Sequence, residues 1–339
     1  MTVDNLVSMG EGNTPLVGSV RSAHLHFKLE STNPSGSYKD RFIAAELGRI
    51  LLQGGRACVA TSSGNTGSSL ASYCARYGVA CAILVNADAP SGKLLQMQAH
   101  GAKVIRIPQF AASPEGTELV FAQLQQFTAH GPAALVVSAF RYCPSGMQGV
   151  KSIAREIVTQ LSAVRHIFVP VGGGGLFAAV SDEIQAIQPG TLVHAVQPLG
   201  CPTLWNAWRD NSSTIAPVQS TTRISGLSVP FDIDASLALR LLRQGGGRVF
   251  SVTDEEVFAA QRELLRQEGI YAEPAGAAAL AGYRQALQSG AISGKDPSVC
   301  LVTGHGFKDP TSMEQSARET PGFTADPAHL LEVLAEVTR

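Results

Sequence analysis

Several things this chain has little of narrow its function before any motif is read. Charged residues make up only 16% of its 339 positions, and they nearly cancel: 26 Lys and Arg against 27 Asp and Glu. A net charge near −1 argues against nucleic acid or an anionic membrane surface as partner. Long apolar runs are missing too. Stretches such as 81–85 and 166–171 fall far short of the ~20 residues that span a bilayer. Residues 1–10 carry neither the basic start nor the apolar core of a signal peptide, so a cytoplasmic location is the expectation. The six cysteines, at 58, 74, 81, 143, 201 and 300, include no Cys-x-x-Cys pair. That argues against a zinc site or a disulfide framework and for a reducing compartment; no metal is expected. No repeat of fixed period and no low-complexity segment occurs.

What is present is an apolar, glycine-rich chain, 45% hydrophobic with 34 glycines, too long for one small core. Short apolar runs at 24–30, 57–61, 79–85, 103–107, 134–138, 166–171, 192–196, 248–252 and 298–302 read as strands. Between them, 42–52, 70–77, 92–99, 115–128, 148–161, 176–187, 254–268 and 274–288 read as helices. Gly78 closes one, and Thr253-Asp254-Glu255-Glu256 opens another with a capping box. Residues 203–229 read as loop around a short helix at 205–208, and 327–337 as an amphipathic packing or subunit helix. Strand–helix alternation of this kind implies an α/β fold built on parallel sheets with right-handed crossovers.

Ligands of open α/β sheets bind beyond the carboxyl ends of the strands, and four loops there have unusual composition. The first is Asn33-Pro34-Ser35-Gly36-Ser37-Tyr38-Lys39-Asp40-Arg41, turn chemistry in which Ser35 or Ser37 is placed to cap the helix that follows. It sets Lys39 at a helix start, where the macrodipole penalises an ammonium. An uncharged lysine amine is the form that attacks an aldehyde; a surface lysine beside Asp40 is the plainer alternative. The second, Ser62-Ser63-Gly64-Asn65-Thr66-Gly67, offers hydroxyls and backbone N–H groups suited to a carboxylate, or is simply a tight turn. Asn65 favours the anion site, since its amide donates to a carboxylate or phenolate oxygen. In the third, Gly172, Gly173, Gly174 and Gly175 let backbone N–H groups approach a phosphate. The run is neither a dinucleotide fingerprint nor a P-loop. The fourth is Thr303-Gly304-His305-Gly306-Phe307-Lys308-Asp309, in which Thr303 offers a neutral hydroxyl to a ring nitrogen. His305 is read as a loop hydrogen-bonder rather than an acid or base. A reactive lysine, a phosphate cradle and a neutral partner for a pyridine nitrogen together describe a pyridoxal phosphate site.

The same segments, with Phe27-Lys28-Leu29-Glu30 before the first and Glu273-Pro274-Ala275-Gly276-Ala277 before the last, resemble in order the motifs of fold type II pyridoxal phosphate enzymes, the tryptophan synthase β superfamily. The resemblance runs from Gly10 to about Asp309. With Glu11-Gly12-Asn13-Thr14-Pro15-Leu16 and the Thr303 loop, it is strongest to threonine synthases. It implies two open twisted α/β domains with the cofactor in the cleft between them: residues 1–53 with 144–339 as the larger, and 54–143 as a smaller, mobile one. It implies a Schiff base on Lys39, which also shuttles protons. Asn65 would meet the ring oxygen, Gly172, Gly173, Gly174 and Gly175 the phosphate, and Thr303 the ring nitrogen. Ser62, Ser63, Gly64, Thr66 and Gly67 would hold the carboxylate of a small amino-acid substrate. A homodimer is implied as well.

One segment departs from the pattern. Where similar threonine synthases carry Asn-Pro-x-Arg-x-Glu-Gly-x-Lys-Thr, this chain has Cys143-Pro144-Ser145-Gly146-Met147-Gln148-Gly149-Val150-Lys151-Ser152. The missing guanidinium removes a bidentate phosphate partner. Arg141 is the neighbouring candidate to replace it, and Cys143 reads as a pocket or core residue rather than a nucleophile. The expected activity is therefore a lyase-type elimination and replacement on an amino-acid side chain, converting O-phosphohomoserine to threonine or acting on a related substrate. A β-replacement synthase or serine/threonine dehydratase is the alternative. A catalytically silent pyridoxal phosphate-binding protein is the rival from another class, and a nucleotide-binding oxidoreductase lacks the acidic ribose partner.

Overall fold

The computed structural model describes residues 6–62, 64–89, 91–108, 110, 114–129, 131, 133–320 and 322–338. The first stretch comprises β1 (Leu16–Gly18), β2 (Leu25–Lys28), α1 (Lys39–Leu52), β3 (Ala57–Ala60), α2 (Asn65–Tyr77), β4 (Ala80–Asn86), α3 (Ser91–Ala99), β5 (Lys103–Ile107), α4 (Pro114–Ala129) and β6 (Ala133–Val136). Then come α5 (Pro144–Val150), α6 (Ser152–Gln160), β7 (His166–Pro170), α7 (Gly175–Ile187), β8 (Leu192–Pro198), α8 (Thr203–Arg209) and α9 (Ala235–Gly245). The chain continues through β9 (Val249–Val252), α10 (Asp254–Gln267), α11 (Pro274–Gln288), β10 (Ser298–Leu301), α12 (Pro310–Arg318) and α13 (Leu330–Val337).

The strands form two sheets. A six-stranded sheet runs β1-β2-β10-β7-β8-β9 and a four-stranded one β5-β4-β3-β6. Every neighbouring pair is parallel except the edge pair of β1 and β2. Parallel strands need helices on both faces, which is why β7, His-Ile-Phe-Val-Pro, is buried along its whole length. Strand alternation divides its side chains between two cores. Ile167 and Val169 join Phe42, Leu47 and Phe177 on one face, while Phe168 packs with Phe250 and Tyr283 on the other. The four-stranded sheet has smaller cores of its own around Leu84 and Leu124, and around Ile83 and Met97.

Two expectations change. The helix expected over 148–161 is two pieces, α5 and α6. Neither Ser35 nor Ser37 caps α1, which begins at Lys39 with Tyr38 at the N-cap and no side-chain cap bond. Ser35 instead turns its amide and hydroxyl onto the Asp40 carboxylate, which also receives the Ser69 hydroxyl of α2. That buried carboxylate, its pKa raised by desolvation, ties α1 to the four-stranded unit.

Among the described residues no helix is long and apolar enough to cross a membrane. In the same residues no His, Cys, Asp and Glu group is arranged to hold a metal.

Candidate active site

The chemistry-bearing loops follow the carboxyl ends of β2, β3, β6, β7 and β10, so parallel topology brings them to one side of the two sheets. Lys39 opens α1, and its Nζ lies 2.8 Å from Ser138 Oγ, just beyond β6, and 4.6 Å from the centre of the Tyr38 ring. The start of α1 is pinned from the far sheet, since the Tyr38 N–H donates to the Thr303 carbonyl at 3.1 Å and Ser37 forms a bridge with Gly304. Thr303 is buried, and so is the Ser37 hydroxyl, which has no hydrogen-bond partner among the described residues.

The glycine run leads from β7 into α7, with Gly174 at the N-cap and φ +96°. A methyl on Gly172 would meet the Gly226 carbonyl at 2.7 Å, and one on Gly175 the Asp234 carboxylate at 2.8 Å. Asp234, which sequence reasoning missed, is a buried clasp. Its backbone N–H donates to the Gly173 carbonyl at 2.9 Å. Its carboxylate accepts the amides of Phe140 at 2.7 Å and Arg141 at 3.1 Å. Burial raises its pKa, and those two amides together with the nearby Lys39 oppose the rise. The glycine run is thereby fastened to the 138–141 segment that touches Lys39.

From the four-stranded unit, the Gly64-Asn65 turn starts α2. Asn65 Nδ2 donates to Glu273 Oε1 at 2.6 Å, and a methyl on Gly304 would collide with that same carboxylate. Glu273 caps no bond of α11 with its side chain and turns toward Asn65 instead. Its backbone N–H donates to the Gly304 carbonyl at 3.1 Å, joining Asn65 to the Thr303 loop. Thr66 is buried, a methyl on Gly67 would meet the Ser62 carbonyl and Met97, and Ser62 Oγ accepts the Gly64 amide at 3.2 Å. Ser63 lies outside the described residues. Arg141 has an exposed side chain beside the Tyr142 ring.

His305 turns its Nδ1 to the Phe307 amide at 3.3 Å and packs against Tyr271 and Phe307, the behaviour of a loop hydrogen-bonder. The altered segment has a packing reason. A side chain at 146 would run into the Phe42 ring at 2.6 Å and Glu46 at 2.8 Å, because α5 lies directly on α1. The Glu46 carboxylate accepts the Gly146 amide at 2.8 Å. Cys143 is a core thiol between Leu135 and Val137, its pKa pushed up to about 12 by burial.

These residues fit a pyridoxal phosphate. Glycine amides at the start of a thirteen-residue helix suit the phosphate, the Ser37 hydroxyl is buried with no partner among the described residues, and the buried Thr303 meets the loop that carries Lys39 through the Tyr38 amide. Ser138 contacts Lys39, Asp234 clasps the glycine run and Glu273 holds the Asn65 amide. A sequence signal existed only for Glu273, inside its Glu-Pro-Ala-Gly-Ala motif.

Comparison with known proteins agrees. The family model described as pyridoxal-phosphate dependent enzyme matches residues 7–304. The chain is 30% identical to the threonine synthase of Methanocaldococcus jannaschii, over 98% of its own length and 84% of the relative's. It is 29% identical to that of Mycobacterium leprae, over 98% and 91%. In fold it is similar to maize serine racemase, with a TM-score of 0.77 at 23% identity, covering 90% of this chain and 92% of that one. It also superposes on the processed threonine deaminase isoform 2 of Solanum lycopersicum, with a TM-score of 0.75 at 18% identity, covering 91% and 88%. With a match across most of its length and relatives at this level of identity, the protein belongs to the pyridoxal-phosphate-dependent enzyme family.

Proposed function

We propose that this enzyme is a threonine synthase-like lyase that eliminates and replaces a group on the side chain of a small amino acid, with Lys39 as the Schiff-base residue. The observation that carries the assignment of Lys39 is the position of its Nζ, 2.8 Å from Ser138 Oγ and beside the clasp that fastens the glycine run. The bound cofactor supplies an electron sink for charge developing at the substrate α-carbon. Gly172, Gly173, Gly174 and Gly175 would hold its phosphate, Asn65 would donate to its ring oxygen, and Thr303 would meet its ring nitrogen with a neutral hydroxyl. Lys39 Nζ takes the α-proton and returns a proton at the end of the reaction. Ser138 orients that amine, and Glu273 orients the Asn65 amide. Ser62, Ser63, Gly64, Thr66 and Gly67 hold the substrate carboxylate.

Residues 54–143, built around the four-stranded sheet, form on this reading a smaller domain that closes over the substrate and excludes water. Contacts such as Asn65 with Glu273 span that cleft. A homodimer is part of the proposal, supported by the exposed apolar residues of α13, among them Leu331 at 80% exposure. The cytoplasm is its location, in keeping with six unpaired thiols.

Assay of O-phosphohomoserine for released phosphate and threonine, beside serine and threonine for keto acid, tests the reading. Phosphate release with threonine formation is expected. Keto acid alone would favour the dehydratase reading, which the absence of a guanidinium at Gly146 supports.

A further inference from the structure

The cleft between the two sheets contains a cavity lined by Asn65, Ser68 and Gln96 from one side and Gly226, Glu273 and Lys308 from the other. Lys308 is the cationic side chain on that lining. Its Nζ donates to Gln96 Oε1 at 2.6 Å. An ammonium has three N–H donors, so two are left for a further acceptor. Burial lowers its pKa, while Glu273 and Asp40 nearby hold it up. Its stem crosses the Lys39 loop where residue 36 is glycine: a methyl there would press on Lys308 Cε at 3.0 Å, and the backbone has φ +91°. The Lys39 loop is thus shaped to admit the Lys308 side chain. Gly146 faces α1, and Arg141 is not on the cavity lining, so neither supplies a cation there.

From this geometry we propose that Lys308 determines substrate specificity by meeting an anionic group at the far end of the substrate side chain. The inference rests on the lyase reading above, and it names the substrate class: amino acids whose side chains end in phosphate or carboxylate. Gln96 holds the ammonium in the cavity until the anion arrives, and α2 presents Asn65 and Ser68 to the same space.

The test uses the holoenzyme and two matched pairs of probes, O-phosphohomoserine with homoserine and L-glutamate with L-glutamine. Binding is followed by calorimetry and by the absorption of the bound cofactor. Wild type should bind the anionic member of at least one pair more tightly. Lys308→Met should weaken that member about 10- to 100-fold while leaving its neutral counterpart within about threefold. Lys308→Arg should restore most of the preference. Gln96→Leu separates a specificity role from that of a strut across the cleft: it should leave the preference in place. The proposal is overturned if wild type shows no preference in either pair, or if Lys308→Met retains it. It is equally overturned if Lys308→Met and Gln96→Leu weaken charged and neutral probes alike. If O-phosphohomoserine yields no threonine while the preference still vanishes in Lys308→Met, the reaction assignment fails and the role of Lys308 stands.

Discussion

Ser138 shows how a residue without a motif enters a site. It follows a strand of ordinary composition, and only the sheet order, which sets β6 beside β3, brings its hydroxyl to Lys39 Nζ at 2.8 Å. Removing it should misplace the amine without preventing its attachment to the cofactor. Ser138→Ala is therefore expected to keep the bound cofactor's absorption and to lower kcat by roughly fivefold, the scale of one net hydrogen bond of about 1 kcal/mol. Steady-state kinetics on cofactor-saturated enzyme check this. Lys39, Asn65, the glycine run and Thr303 stood out in the sequence as candidates because each lies in a turn whose residue types answer one chemical demand. Ser138 and Asp234 were not, since a lone serine or aspartate after a strand is too common to signal anything. At Gly146 the structure adds a demand that the sequence did not show: besides lacking a guanidinium, the position must stay small because α5 lies directly on α1.

At the scale of elements, a buried ionic cluster holds α1 in place. Arg41 binds Glu30 through Nε and Nη2 at 2.7 Å each, and Glu156 of α6 through Nη1 at 2.6 Å. Lys28 reaches Glu156 at 2.6 Å, and the amides of Asn13 and Thr14 also donate to that carboxylate. Burial pushes the Glu156 pKa up, but Arg41 and Lys28 outweigh it and hold it at about 2. Arg41→Leu leaves Glu30 buried without its charge partner and should cost about 3–5 kcal/mol of stability, measurable by urea unfolding. A second polar chain crosses the opposite, amino-terminal end of the six-stranded sheet. The Arg248 amide donates to His194 Nδ1 at 3.2 Å, so neutral His194 carries its proton on Nε2 and gives it to His166 Nδ1 at 3.0 Å. His166 Nε2 then faces Asp296 at 3.5 Å. Burial, with His166 and Arg248 beside it, pushes the His194 pKa down to about 3, and His166 is lowered too.

The sign of the pH dependence follows. The unfolded chain takes up protons first, near pH 6.5, so stability is full above that and falls as pH drops toward 3. For His194 the loss reaches roughly 4–5 kcal/mol at the acid end, and Glu156 adds its own loss below about pH 4.5. The urea midpoint should decline from pH 6.5 downward, and His194→Gln should flatten the decline between 6.5 and 4.5. Elements themselves were largely legible from periodicity and caps. The capping box at Thr253 forms, and Gly78 closes α2 with φ +66°. Helix α9 was missed although Ala235, Ala238, Leu239 and Leu242 recur at helical spacing, because it follows a long loop rich in serine and proline.

For the whole molecule, what matters is that two sheets, parallel apart from the β1–β2 edge, deliver loops separated by up to ~270 residues in sequence to the same side, a consequence of strand direction rather than of any single contact. Alternating strands and helices made the parallel architecture readable. The pairing of β10 between β2 and β7 was not, because partner choice in a sheet depends on packing that no local pattern encodes. It is this pairing that sets the Thr303 loop against Tyr38 and fixes where α1 begins. Every role assigned to these loops depends on Lys39 as the point of covalent attachment. Borohydride reduction of the cofactor-loaded protein, followed by proteolysis and mass spectrometry, tests it directly. The pyridoxyl adduct should be found on the peptide containing Lys39 and be lost in Lys39→Ala; an adduct on another lysine, Lys308 included, or none at all, would contradict it.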